Sequence, residues 1–317
     1  MNGPTLVRTP HRQAEWKKIP EAMRALWRAC LPEQDGGDVA RSLTINFVGV
    51  APAADQETLQ WTVDRLQRRT PCRAFLLLLD EEAKVGTAEL AATTRCHGSV
   101  RDIVLEEIVI RLPEQALAQM PGLVRPLLMN DLPNHLYWAA AWPQKAATFD
   151  AIAGLCDHAV VDSRRFVAPA RDLLALRERR AAGRRITDLS WLRLRPWRRA
   201  LAEAFERLAW ATGTPASARI RHGRQGLAGA MLLGEWLRER IGARIDFDTG
   251  GDDAVVGPDT VVVRTAAFEV EIVARAPQLR VHVTTPEHCF LPFAVPSSRG
   301  TDGDLLGAAI DLGGSAA

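Results

Sequence analysis

Three places in this sequence hold residue types and spacings that can do chemistry. The segment HAVVDSRRF (158–166) sets Asp162, Ser163 and Arg164 just past an apolar strand, and in open parallel sheets ligands gather outside the carboxyl ends of strands. A Ser–Arg pair there suits an anion, whereas Asp162 or Ser163 can also simply cap the turn into the next helix. Between Arg164 and Arg199 stand twelve arginines against three acidic residues, Asp172, Glu178 and Asp188, a local charge near +9. Inside that run Trp191, Arg193, Arg195, Trp197 and Arg198 interleave the two residue types that protein–protein hot spots favour. A solvated helix face with a connector is the plainer reading; docking to an acidic protein, a phosphorylated metabolite or RNA is the functional one. The third place, DLPNHLYWAAAW (131–142), carries Tyr137, Trp138 and Trp142, aromatic area that serves either a core or a contact rim.

Other chemistry finds little support. No GxGxxG opens a helix after a strand, and GxxxxGK[ST], GxSxG and HExxH are all missing, so the common nucleotide, hydrolase and zinc-protease signatures are absent. No catalytic residue and no cofactor is assigned. His282 and His288 beside Cys289 split between a strand and a Pro-rich loop, which disfavours a metal site. The acidic turn with Asp246, Asp248, Asp252 and Asp253 lacks the glycine and glutamate of an EF-hand and reads as a hairpin loop. Cys30, Cys72, Cys96, Cys156 and Cys289 never form a CxxC pair, which suggests neither a disulfide framework nor a metal cluster, and most of them read as small buried hydrophobes.

The elements that must position these residues follow from the hydropathy pattern. The chain has 317 residues, 47% hydrophobic, with a net charge of +2, enough to bury a sizeable core in about two domains. Arginine outnumbers lysine thirty-six to four. The balanced charge disfavours a dedicated nucleic-acid binder. No apolar run approaches the ~20 residues of a bilayer span, and the N-terminus has no apolar core between its charges, so a cytoplasmic location is expected.

Strands are expected at 42–50, 74–79, 87–97 and 102–112, the last interrupted by Glu106 and Glu107, then at 135–141 and 158–162. Helices are expected from Asp55 and at 146–155 and 169–181. Strands alternating with helices give a largely parallel, layered sheet. A second unit follows: a helix from Pro196 with Trp197, Leu201, Phe205 and Leu208 on one face, a strand at 217–222, a helix through Leu227 and Leu237, a strand at 243–248, and an antiparallel meander from 260 to 285. The expected fold class is therefore α/β, with two layered units, the first largely parallel, the second mixed with a C-terminal antiparallel meander. Its divisions are an appended arm at 1–38, a first domain at 39–183, the basic connector and second domain at 184–296, and a frayed tail at 297–317 with an apolar clip at Leu305, Leu306 and Ile310.

Three stretches together, PLLMNDLPNHLYWAA (126–140), DHAVVDSRRF (157–166) and ITDLSWLRLRPWRRALAEAF (186–205), resemble the glucose-6-phosphate dehydrogenase assembly protein (OpcA) family. The segment from Arg95 to Arg111, with His97 and Gly98, is compatible with it. The sequence departs from the family pattern at Ser190, where Asn is expected, at Tyr137, which replaces a tryptophan, and at AAAWP, which replaces a glycine-containing turn. The resemblance implies a non-catalytic assembly factor or allosteric activator whose partner is glucose-6-phosphate dehydrogenase of the oxidative pentose phosphate pathway. On that reading Trp191, Arg193, Arg195, Trp197 and Arg198 form the partner contact. The alternative is a sugar-phosphate-binding enzyme or sensor using Asp162, Ser163 and Arg164.

Overall fold

In the computed structural model, residues 5–30, 39–97, 100–208, 215–253, 255–297 and 300–314 are described. Gly98 and, within the expected arm, residues 31–38 lie outside them. The elements in the first part of the chain are β1 (Thr5–Arg8), β2 (Arg12–Glu15), α1 (Ile19–Ala29), β3 (Val39–Arg41), β4 (Ile45–Pro52), α2 (Gln56–Leu66) and β5 (Cys72–Leu79). There follow β6 (Thr87–His97), β7 (Val100–Leu112), α3 (Met120–Val124), β8 (Asn134–Trp138), α4 (Ala146–Ala153) and β9 (His158–Val161). Next come α5 (Pro169–Ala181), β10 (Ile186–Asp188), α6 (Leu189–Arg193), α7 (Arg195–Arg207), β11 (Ser217–His222), α8 (Leu227–Ile241) and β12 (Arg244–Asp248). The chain ends with β13 (Pro258–Arg264), β14 (Glu269–Arg275), β15 (Gln278–Thr284), β16 (Phe293–Pro296) and α9 (Asp302–Gly314).

Two compact units result, and their boundaries are not linear in sequence. The first takes residues 1–161, 180–187 and 301–317; the second takes 162–179 and 188–300.

The first unit is built on a ten-stranded sheet in the order β1-β6-β7-β5-β4-β8-β9-β10, with β2 also on β6 and β3 on β7. From β7 through β5, β4 and β8 to β9 every pairing is parallel, while β6 joins β7 as an antiparallel hairpin. The apolar runs explain the centre: Phe47, Val48 and Val50 on β4 and Phe75 to Leu78 on β5 are buried on both faces, the pattern of a sheet covered on both sides.

Glu106 and Glu107 do not interrupt β7, as the hydropathy pattern suggested. They point to opposite faces of one continuous strand, and both are fully buried. Glu106 is held by Arg41 at 2.8 Å and Arg73 at 2.7 Å. Glu107 is held by Arg8 at 2.5 Å and His11 at 3.2 Å. The N-terminal residues are thus no appended arm: β1 and β2 extend the sheet, and their Arg8 and His11 neutralise a buried carboxylate. Although burial would raise the Glu107 pKa, these partners hold it below the usual range, and the hydrogen bond to Glu107 raises that of His11.

The tail is not frayed either. Residues 302–314 form α9, whose Leu306, Ala309 and Ile310 are buried in the first unit. Thr301 and Asp304 cap it reciprocally: the Asp304 carboxylate accepts the Thr301 N–H at 2.8 Å, and the Thr301 hydroxyl accepts the Asp304 N–H at 3.3 Å. This is a capping box, and Arg65 of α2 adds an ion pair to Asp304 at 3.2 Å.

The second unit is a six-stranded sheet in the order β12-β11-β13-β14-β15-β16, parallel between β11 and β12 and antiparallel elsewhere. Period-2 alternation sends Ile220, Val261, Val263, Val270, Ile272 and Val281 into a core with α7 and α8. Arg219, Arg264, Arg280 and His282 lie exposed on the other face. The meander from β13 to β15 follows the expected strands, and β16 adds an edge strand that the Pro-flanked sequence did not announce.

Two measurements test this account. Thr301→Ala removes one side of the capping box and lowers stability by about 1 kcal/mol in urea unfolding. His158 is buried and held at about 4 by that burial, with His135 and Arg185 adding to it, while burial also lowers His135, which faces Asp157 and Arg185. The unfolded chain therefore binds more protons at His158 between the ordinary value of 6.5 and about 4, and stability falls as pH drops through that window. His158→Gln flattens the slope there, measured as the urea midpoint from pH 7 to pH 4.5.

Candidate functional site

The structure brings the first two sequence candidates together within the second unit. Past the end of β9, Asp162 is fully buried and caps a short turn at Ser163–Arg165, its carboxylate accepting the Arg164 N–H at 3.3 Å. Two guanidinium groups close on the same carboxylate. Arg193 of α6 binds it bidentately, Nη1 to Oδ1 at 2.8 Å and Nη2 to Oδ2 at 3.1 Å. Arg164 approaches through Nε at 3.1 and 3.0 Å. Burial alone would raise the pKa of Asp162, but the charges of Arg193 and Arg164 hold it at about 2.

A second buried carboxylate joins the same two segments. Asp188 caps α6 by accepting the Ser190 N–H at 2.9 Å and also accepts the Ser163 N–H at 3.3 Å. Burial pushes its carboxyl above the ordinary range. Asp188 was not a sequence candidate, although the D-x-S pattern at the head of a helix is a cap signal. Ser190 also lies buried here, and among the described residues its hydroxyl has no hydrogen-bond partner.

The Trp/Arg set divides into two classes. Trp197 is 6% exposed and packs in the core of the second unit with Leu194 and Leu201. Arg193 is spent on Asp162. Trp191 is half-buried, and the Arg198 guanidinium lies 3.6 Å from its ring centroid, with Nη2 donating to the Trp191 carbonyl at 3.4 Å. Arg195 is exposed. The displayed surface is therefore Trp191, Arg195 and Arg198, carried on a frame made by Arg193 and Trp197.

The remaining candidates resolve as structure. Trp138 and Trp142 pack on Phe149 with ring centroids 5.3 and 4.7 Å apart, and both are buried with Tyr137. In the acidic turn, Asp248 accepts the Gly250 N–H at 2.9 Å and Asp253 the Arg224 N–H at 2.6 Å, the work of loop carboxylates. Among the described residues no group of three His, Cys, Asp or Glu side chains is placed to hold a metal. Burial pushes the Cys156 thiol up to about 12 and that of Cys72 upward as well, the state of inert thiols. Among the described residues no helix is long and apolar enough to cross a membrane.

Substitutions separate frame from surface. Asp162→Asn leaves two guanidinium groups without their carboxylate and costs about 3–5 kcal/mol. Trp197→Ala empties a core position at about the same cost. Arg195→Glu, on the surface, changes stability by no more than about 0.5 kcal/mol. Urea unfolding of the three variants checks this ordering.

Comparison with known proteins finds two family domains in succession along the chain. Residues 63–178 match a family profile described as the glucose-6-phosphate dehydrogenase subunit N-terminal domain, and residues 184–313 match its C-terminal counterpart. A Nostoc punctiforme protein provisionally named OxPP cycle protein OpcA is 32% identical over 147 residues, and a Synechocystis protein of the same provisional name is 30% identical over 146. Each alignment covers 45% of this chain and 31% of the relative, so the match spans about a third of those proteins. Among solved structures, an oxidoreductase-like protein from Bacillus subtilis superimposes with a TM-score of 0.48 at 8% identity, over 87% of this chain and 90% of that one. The 3-ketoreductase KijD10 from Actinomadura kijaniata gives 0.47 at 12%, over 85% and 90%. With both family domains matched in order along most of its length, this chain belongs to the glucose-6-phosphate dehydrogenase assembly protein (OpcA) family.

Proposed function

We propose that this chain binds glucose-6-phosphate dehydrogenase and acts on it as a non-catalytic assembly factor or allosteric activator. The observation that carries the reading is the Trp191–Arg198 stack. A tryptophan and an arginine, half-buried and mutually oriented, stand beside exposed Arg195 on helices whose inner side is fixed by Asp162, Asp188 and Trp197. Large rigid side chains already held in place lose little freedom on binding, which is what makes Trp and Arg effective anchors. Membership of the family supports the dehydrogenase as the partner.

An activator must bind the active form of its target better than the inactive form, because equal affinity shifts nothing. Exposed Arg195 and the stacked Arg198 suit a partner surface that carries carboxylates. Arg193 and Trp197 contribute by holding α6 and α7 rather than by touching the partner.

Sedimentation and steady-state kinetics of the same organism's dehydrogenase, with and without this protein, test the proposal. The expected result is a change in oligomer size together with a lower substrate requirement. The double variant Arg195→Glu, Arg198→Glu, with its fold intact, weakens the effect by at least about tenfold, as the loss of roughly 1.4 kcal/mol or more of contact energy requires. A dehydrogenase unchanged in both size and kinetics by the wild-type protein overturns the reading.

A further inference from the structure

Helix α5 turns only a narrow side inward. Of its thirteen residues, Asp172 and Leu176 are buried and the others are half-buried or exposed. At about 100° per residue, the direction opposite the midpoint of those two passes through Leu174. Leu174 is 53% exposed, and Val167, just before the helix, is 82% exposed. A leucine at the centre of the solvent side reverses the usual amphipathic arrangement of a helix on a core.

The residues around Leu174 are complementary to themselves. Arg171 and Glu178, three before and four after it, lie on one flank; Ala170 and Arg177, four before and three after, lie on the other, and all four are exposed. A two-fold rotation that sets a second α5 antiparallel across Leu174 brings each flank against the same flank of its mate and reverses the order along the axis. Arg171 then meets Glu178 of the second copy, and Glu178 meets Arg171. On the other flank the Arg177 stem lies over Ala170 of the second copy, whose small side chain leaves room for it. The two Leu174 side chains meet at the axis, an apolar seam with opposite charges beside it, as in an antiparallel coiled coil.

Within one chain the same charges cannot satisfy each other. Arg171 and Glu178 are seven residues apart, about 10 Å along the helix, whereas neighbours on a helix surface are three or four apart. Arg171 does touch buried Asp172, its Nε donating at 2.8 Å, yet its side chain stays 71% exposed. That contact orients the guanidinium without covering it. Arg177 is likewise oriented by Glu235 of α8. The remaining arginines of the helix, Arg179 and Arg180, fall five and six residues after Leu174, directions turned away from the seam, so the excess positive charge of this region is not concentrated at it.

We propose that this chain self-associates through α5 as a two-fold antiparallel pair centred on Leu174, with Arg171 of each copy paired to Glu178 of the other. The inference is independent of the dehydrogenase partnership. A thirteen-residue helix offers a face about 20 Å long, smaller than a standard permanent interface, so the dimer is weak, with a dissociation constant on the order of tens of micromolar or higher.

The experiment is sedimentation velocity of the full chain from low micromolar to several hundred micromolar, with thermal melts of every variant. The mass of wild type rises toward that of a dimer and stops there, as a closed two-fold contact requires. Leu174→Glu and Glu178→Arg each weaken association by at least about tenfold; both positions are exposed and neither touches Asp172, so their melting temperatures stay near that of wild type. Adding Arg171→Glu to Glu178→Arg reverses the pair and restores association. A wild-type chain that stays monomeric at the highest concentration overturns the proposal, as does unweakened association of Leu174→Glu or Glu178→Arg. Should wild type stay monomeric while Leu174→Glu loses its effect on the dehydrogenase, the face belongs to that enzyme and the proposal fails.

Discussion

The structure depends on burying carboxylates and paying for them with arginine. Glu106, Glu107 and Asp162 all lie out of water, where an unpaired carboxylate is several kcal/mol too costly to keep ionised. Each is matched by guanidinium groups brought from elsewhere in the chain: Arg41 and Arg73 to Glu106, Arg8 to Glu107, Arg164 and Arg193 to Asp162. A planar fork can satisfy both oxygens of a carboxylate while remaining charged, which a lysine ammonium does less well. The thirty-six arginines against four lysines are in part the requirement of these clasps.

The clasps also decide topology. Because Glu106 and Glu107 face opposite sides of β7, both faces of the sheet must deliver a cation to the same level of the strand. One comes with β3 and β5, the other with β1. The N-terminal strands are bound into the first unit by charge as well as by backbone pairing, and removing them would strip Glu107 of Arg8 and His11. In the second unit Asp162 and Asp188 do the corresponding work between the turn after β9 and helix α6: one holds side chains, the other holds backbone N–H groups.

These facts explain which parts of the fold were legible in the sequence. The alternation of strands and helices was readable because parallel central strands such as β5 are apolar throughout, and the meander because period 2 is kept from β13 to β15. Hydropathy could not reveal that Glu106 and Glu107 continue a strand, since the arginines that permit it lie 33 to 99 residues away in sequence. The helix α9 was missed although TDGD, 301–304, carries a capping box, because the Gly- and Ala-rich composition around it resembles a tail. At the site, Asp162, Ser163, Arg164 and the Trp/Arg run were visible as types, but their roles were not. The periodicity itself held the missing clue. Trp197 shares a helical face with Leu201 and Phe205, the face that packs on the sheet, so the same spacing that marked a helix also assigned this tryptophan to the core.

What the sequence presents as one basic stretch is, physically, two sets of arginines with different freedom. Arg193 and Arg164 are immobilised against a buried charge, and moving them would expose Asp162 or leave it unpaired. On the neighbouring α7, Arg195 is exposed to solvent, and Arg198 stacks on the Trp191 ring and donates to the Trp191 carbonyl. Rigid anchors beneath and a stacked Trp191–Arg198 pair above form a surface largely set before any partner arrives, so much of the ordering cost that weakens flexible interfaces has already been met by folding.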